Sequence, residues 1–234
     1  MEPGNRDDWI AQLGDALLST SEEAHQVTLS SLVAAGVTAE QLYHDYIPEA
    51  SRYLGKKWVS DEASFVGVTT GAARLQALFH DRAHATNTQP LLGRGAPPSG
   101  SVLMVIPDYE QHSLGAFVVA DGLRRHGLGV RMAVGLSEAE LTNILSERQF
   151  SMIGISLATW KSVESTAKMV AHLRATVDKL PPIVIGGRIV GDRTSITRCT
   201  GADYAVKSIK EAIKRCGLAT AAEVSPLAGV EHCI

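Results

Sequence analysis

The sequence predicts an α/β chain in two parts, an N-terminal all-α helical bundle followed by a doubly wound sheet of five parallel strands. Two changes along the chain carry this expectation. Up to about residue 86 the apolar residues recur at helical spacing, whereas beyond residue 100 short aliphatic runs alternate with helical stretches. Between them, TNTQPLLGRGAPPSG (Thr86–Gly100) holds three prolines and three glycines, a density that regular structure does not tolerate. The expected boundaries are a bundle over 1–86, a linker over 87–100, the sheet domain over 101–218 and a mobile tail over 219–234.

The bundle elements follow in order. An opening helix is expected around Trp9 to Leu18. Thr20 with Glu23, and Thr38 with Gln41, have capping-box spacing. Between them Leu29, Leu32 and Val33 stand at i, i+3 and i+4, and Gly36 supplies a stop. Pro48 breaks or starts a helix that places Ala50, Leu54 and Trp58 on one face. Ser60, followed by Asp61 and Glu62, reads as the cap of a last helix running to about His84. Four or five helices of this kind make a small bundle.

In the second part, Ser101–Ile106, Gly129–Val134, Ser151–Ala158 and Pro182–Gly187 read as buried parallel strands, with Ala202–Val206 a short fifth. Helices are expected over Gly115–His126 (closed by Gly127), Glu138–Arg148 (capped by Ser137, with Glu140 three residues on), Ser162–Val177 and Ser208–Cys216. The order is that of a flavodoxin-like sheet.

Composition bounds the function. Forty-five per cent apolar residues against 20% charged ones support a sizeable core and exclude disorder as the dominant state. The net charge of −3 argues against a general nucleic-acid binder. No apolar run approaches the roughly 20 residues of a membrane span, and MEPGNRDDW lacks the regions of a signal peptide. Cys199, Cys216 and Cys233 include no CxxC pair and read as reduced thiols. A cytoplasmic location is expected.

In an open parallel sheet, ligands bind beyond the carboxyl ends of the strands, at the point where strand order reverses. The segments leaving the strands are therefore the ones that matter. The first carries Glu110, His112 and Gly115, the third Ser156 and Ala158, and the fourth Gly186 and Gly187. No glycine-rich phosphate turn, receiver-type acidic phosphoacceptor or G-x-S-x-G elbow is present. Taken alone, His112 has two roles open to it, cap of the adjoining helix or metal ligand. Trp58 has two as well, bundle core or ligand cover. His80 and His84 lie one helical turn apart, a spacing that suits metal, but they read as a solvated helix end. Glu231-His232-Cys233 reads as incidental, and Lys207, Lys210, Lys214 and Arg215 as a solvated basic edge.

The run E-Q-H-S-L-G at Glu110–Gly115, then Ser156-x-Ala158, then Gly186-Gly187 resembles the cobalamin-binding motif D-x-H-x-x-G, S-x-L, GG. The resemblance implies His112 as lower axial ligand of cobalt once the dimethylbenzimidazole base has swung away, with Glu110 orienting the ring. Gly115, Ser156, Ala158, Gly186 and Gly187 would line a slot for the nucleotide tail. Glu110 stands where that family has Asp, and Ala158 where it has Leu. YLGKKWVSDEASFVGVTTGAARLQ (Tyr53–Gln76) resembles the bundle that caps the upper face in light-responsive and methyltransferase-type cobalamin proteins, with Trp58 over the corrin. Where the photoreceptor branch has a Glu-His pair after this tryptophan, Val68 and Thr69 stand here. A bundle plus cobalamin domain without a helix-turn-helix resembles the AerR/PpaA antirepressors of photosynthetic purple bacteria, which control the CrtJ/PpsR repressor. The implied function is a light-responsive, non-enzymatic regulator that binds cobalamin, hydroxocobalamin foremost, and contacts such a repressor without reading DNA. The alternatives are a corrinoid methyl-carrier subunit of a methyltransferase system and a haem-binding sensor on the same scaffold.

Overall fold

The computed structural model describes residues 5–88, 100–110, 112–191 and 193–220. The chain divides into two compact units, Met1–Pro90 and Leu91–Ile234.

The first unit is helical. Helix α1 (Arg6–Leu18) and α2 (Ala24–Ala34) are followed by a short α3 (Ala39–Gln41), which runs through a π-turn (Leu42–Tyr46) into α4 (Ile47–Val59) and then α5 (Phe65–Thr88). Apolar spacing explains the packing: Leu13 and Leu17 of α1, Ile47, Ala50 and Leu54 of α4, and Leu75 and Phe79 of α5 are buried together with Leu32. Gly14 lets α1 approach α4, since a Cβ there would stand 2.2 Å from the Tyr53 ring. Arg74 of α5 donates to the Leu17 and Ser19 carbonyls at 2.9 and 2.8 Å, closing the open end of α1. His25 is buried with no partner for Nδ1 among the described residues, and burial with Arg74 nearby holds its imidazole below the usual range.

Local details differ from expectation. The capping box at Thr38 and Gln41 is present, whereas Glu23 stands at the α2 N-cap without one, so the Thr20 box is not formed. Of the two roles open to Pro48, breaking or starting a helix, the structure shows the second. Pro48 occupies the first turn of α4, where its missing N–H costs nothing. Ser60 ends α4 instead of starting α5, and its hydroxyl donates back to the Lys56 carbonyl at 3.0 Å. Asp61 turns the chain at φ 57°, and Ser64 caps α5 by accepting from Gly67 N at 3.1 Å. The acidic pair after Ser60 thus belongs to a turn, where Glu62 meets Lys57.

The second unit is a five-stranded sheet in the order β2-β1-β3-β4-β5, all parallel. Its strands are β1 (Ser101–Ile106), β2 (Gly129–Val134), β3 (Met152–Ser156), β4 (Ile183–Gly186) and β5 (Tyr204–Ala205). Helices α6 (Leu114–Arg125), α7 (Glu138–Glu147), α8 (Val163–Thr176), α9 (Arg193–Thr200) and α10 (Ile209–Arg215) connect them. Alternation along the strands sends Leu103, Val105, Ile153, Ile155, Ile183 and Ile185 into one core with Leu141, Val170, Leu173 and Ile196 from α7, α8 and α9. Helix α6 packs against β1, β2 and β3, and α10 packs beside α6. The capping box at Ser137 forms as expected, and Ser208 caps α10, its side chain accepting from Glu211 N. Helix α9 was not expected: RTSITRCT is polar and β-branched, and Ile196 and Thr200 alone bury. No described helix is long and apolar enough to cross a membrane.

Candidate functional site

The strand order reverses between β1 and β3, so their carboxyl ends open a crevice. Three of the residues singled out in the sequence meet at this end of the sheet. Ser156, the last residue of β3, is the register partner of Gly186, the last of β4. A Cβ on Gly115, in the first turn of α6, would find Ser156 Oγ as its nearest neighbour, at 3.8 Å. Ser156 is buried.

Glu110 organises the crevice. After β1 the chain turns tightly, Glu110 N donating to the Pro107 carbonyl at 3.0 Å, and this drives the carboxylate inward until its side chain is 2% exposed. A buried carboxylate needs donors on both oxygens, and here they come from two loops. Oε1 accepts from His112 N at 3.0 Å and lies 2.9 Å from His112 Nδ1. Oε2 accepts from Ala158 N at 3.0 Å and Ser162 Oγ at 3.3 Å. Burial pushes the Glu110 carboxyl up, but the N–H groups of Ala158 and His112 and the His112 ring outweigh it and hold it below the usual carboxylate range. One ionised group therefore ties the loop after β1 to the loop after β3.

His112 is held without being buried: its side chain is 58% exposed. The N-cap position of α6 falls on Ser113, which makes no side-chain cap hydrogen bond, so His112 lies one residue outside the helix. In an imidazole whose Nδ1 donates to the carboxylate and which carries no second proton, the lone pair is on Nε2. That is the tautomer a metal ligand requires.

Sequence reasoning missed Ser162, and it assigned Ala158 to a slot wall where the structure uses its backbone N–H. Ser162 read as a helix start and is the N-cap of α8, but it also ends the 3-10 turn Trp160–Ser162 and is buried. Its carbonyl accepts from Thr166 Oγ1 at 2.7 Å, and Thr166 in turn meets Tyr109 Oη at 3.1 Å. The signal available was the acidic residue itself, since a carboxylate pulled beneath a strand end must find hydroxyl or amide donors nearby.

The two glycines after β4 differ. Gly187 stands at φ 107°, and a Cβ there would lie 2.2 Å from the Leu157 carbonyl oxygen. Its first role is thus to let the β4 turn cross the β3 backbone, a fold requirement that the ligand-slot reading did not anticipate. Gly186 is under no such pressure, its nearest neighbour being the Val206 carbonyl at 3.8 Å. Space kept open at Gly186 and Gly115, beside the Ser156 hydroxyl, is a cradle that side chains would fill.

In the helical unit Trp58 is 51% exposed and tilted against Phe65 with ring centroids 6.3 Å apart. Val59, Phe65 and Val66 are also exposed there. Trp58 therefore does not serve the bundle core that buries Ala50 and Leu54. The side chains of His80 and His84, and the Glu231–Cys233 segment, lie outside the described residues. Of the basic edge, the Arg215 side chain lies 3.9 Å from Glu211, which also pairs with Arg193 and accepts from the Lys207 backbone N–H.

A histidine held by a buried carboxylate thus stands at the switch point of a doubly wound unit, which a separate helical unit precedes in the chain. The chain belongs to the family of the uncharacterized 20.5 kDa protein of the bchF-crtJ intergenic region of Rhodobacter capsulatus: the two are 33% identical over 185 residues, covering 79% of this chain and 95% of that protein. No family model matches the sequence. Among solved structures, similarity extends to a novel cobalamin-binding protein from Desulfitobacterium hafniense DCB-2 (15% identity, TM-score 0.44, covering 92% of this chain and 98% of that one). It extends also to the methanol:cobalamin methyltransferase complex MtaBC of Methanosarcina barkeri (14% identity, TM-score 0.44, covering 94% and 84%).

Proposed function

We propose that this chain is a cobalamin-binding regulator that acts through ligand-dependent contact with a CrtJ/PpsR-type repressor. The observation that carries the reading is the Glu110–His112 clamp, which fixes Nδ1 at 2.9 Å from a buried carboxylate and keeps the rest of the ring in solvent. Cobalamin, when bound, supplies a cobalt centre with exchangeable axial positions. His112 would hold that metal through Nε2, and Glu110 would orient the ring. Ser156, Gly115 and Gly186 would receive the nucleotide tail, with Gly187 shaping the turn beside it and the Ala158 backbone anchoring the crevice wall. Trp58 is the residue we assign to the ligand's other face, following the resemblance and its exposed ring. Hydroxocobalamin is the form we expect, and light would enter by changing the upper axial ligand.

Two observations support the regulatory part. The related Rhodobacter capsulatus protein takes its description from a region bordered by crtJ, the gene name shared by the repressor in the resemblance. The net charge of −3 suits protein contact better than contact with DNA phosphates. The expected result is capture of a CrtJ/PpsR-type repressor by the hydroxocobalamin-loaded chain, and at least about tenfold less by the ligand-free chain or by His112→Ala. Equal capture with and without cobalamin, or specific duplex binding by the isolated chain at physiological salt, contradicts the reading.

A further inference from the structure

In the α/β unit, large apolar side chains among the described residues keep half their surface in water at two places, Val134 (50%) and Trp160 (53%). Both stand at the carboxyl rim of the sheet. Val134 is the last residue of β2, in register with Ile106 at the end of β1. Trp160 opens the 3-10 turn that follows β3. Because β1 lies between β2 and β3, the two residues bracket the loop that carries Glu110 and His112. Neighbouring strands are about 4.8 Å apart, so the ends of β2 and β3 are separated by roughly 10 Å, a span that one flat ring system covers.

The Trp160 turn is also fixed in place. Ala158 and Ser162, two residues before and two after it, both donate to Oε2 of Glu110. The carboxylate whose other oxygen holds His112 therefore pins the tryptophan's turn as well, on a rigid element. An indole left half in water on such an element gains most from a flat apolar surface laid against it, since aromatic side chains bury large areas at low entropic cost.

We infer that Trp160, with Val134 on the far side of the His112 loop, forms an apolar rim against which the ring system of a bound tetrapyrrole rests beside its axial histidine. This rests on the cobalamin reading and adds a contact to the macrocycle itself, distinct from ligation and from the tail slot. Glu110 then has a double task, positioning the ligand nitrogen and the ring's resting surface together.

The test is equilibrium binding of hydroxocobalamin, followed by absorption, to the full chain and to Trp160→Ala, Trp160→Phe and Val134→Ser, with thermal unfolding as the control for folding. Trp160→Ala is expected to weaken binding at least about tenfold while the bound spectrum still shows histidine on cobalt, with Trp160→Phe intermediate. Unchanged affinity in well-folded Trp160→Ala overturns the inference. So does a weakened complex that has also lost the histidine-ligated spectrum, because the tryptophan would then act through His112. A wild-type chain that binds no cobalamin overturns the cobalamin reading itself, an outcome distinct from wild-type binding that Trp160→Ala leaves intact.

Discussion

Replacing Glu110 by alanine is expected to destabilise the α/β unit by about 3 kcal/mol, a large loss for a single polar side chain. The carboxylate accepts from His112 N, Ala158 N and Ser162 Oγ and holds His112 Nδ1. Alanine leaves those donors facing an apolar void, and a buried donor without a partner carries its full desolvation cost. Glu110→Gln should cost less, about 1–2 kcal/mol, because one amide oxygen remains while the NH2 group confronts donors. Urea unfolding gives both values, and faster amide exchange at Ala158 would localise the damage. The pH dependence has a definite sign. The folded carboxyl lies below its ordinary value of 4.5, so its contribution is complete above that value and is lost as pH falls through the lowered one. Glu110→Gln should flatten the stability profile in that acid window. Equal slopes for the two proteins would mean that the ionised clamp is not what joins the loops.

Gly187→Ala is expected to cost roughly 3 kcal/mol or more whether or not a ligand is present. The methyl group must enter at 2.2 Å from the Leu157 carbonyl oxygen, and the residue must keep φ at 107°. Gly186→Val provides the contrast. Its Cβ has 3.8 Å of clearance from the Val206 carbonyl, and β-branching suits a strand end. Stability should change by less than about 1 kcal/mol, while cobalamin affinity falls at least about tenfold as the side chain fills the tail slot. Thermal unfolding and binding measured on both variants separate the roles. A Gly187→Ala protein as stable as wild type would remove the backbone-crossing account, and undiminished binding by Gly186→Val would place the tail elsewhere.

The α/β topology was legible because its signals are local and repeated. Val-Leu-Met-Val-Ile and Ile-Val-Ile have no exposed face, and buried parallel strands are the one place where such runs sit between helices. Ser137 with Glu140 marked a helix start that forms as written. Where reading failed, a second partner for the signal lay out of sight. Ser60, Asp61 and Glu62 look like a helix start, but Lys57 on the preceding turn takes Glu62 and turns the segment into an ending. Helix α9 lacks an apolar stripe because it buries only a narrow edge against α8 and β5. At the site, the order Glu-x-His pointed to the clamp on one side of the crevice. The other half, Ala158 N and Ser162 Oγ, stands 48 and 52 residues away from Glu110, and only the β1–β3 pairing brings it there. Gly187 was singled out for a ligand slot, whereas the need for glycine there that the structure shows becomes visible only when the Leu157 backbone is seen beside it.

The central claim is that His112, aligned by Glu110, ligates a cobalamin in this crevice. Its most direct test is an absorption titration of the wild-type chain and His112→Ala with hydroxocobalamin, run beside haem and in both darkness and light. His112 lies on an exposed loop, so its removal should leave the fold intact. The account predicts saturable binding of cobalamin by wild type with a base-off, histidine-on spectrum, and loss of that spectrum in a folded His112→Ala. An identical cobalamin spectrum in both proteins, or saturable binding of haem with none of cobalamin, would contradict it.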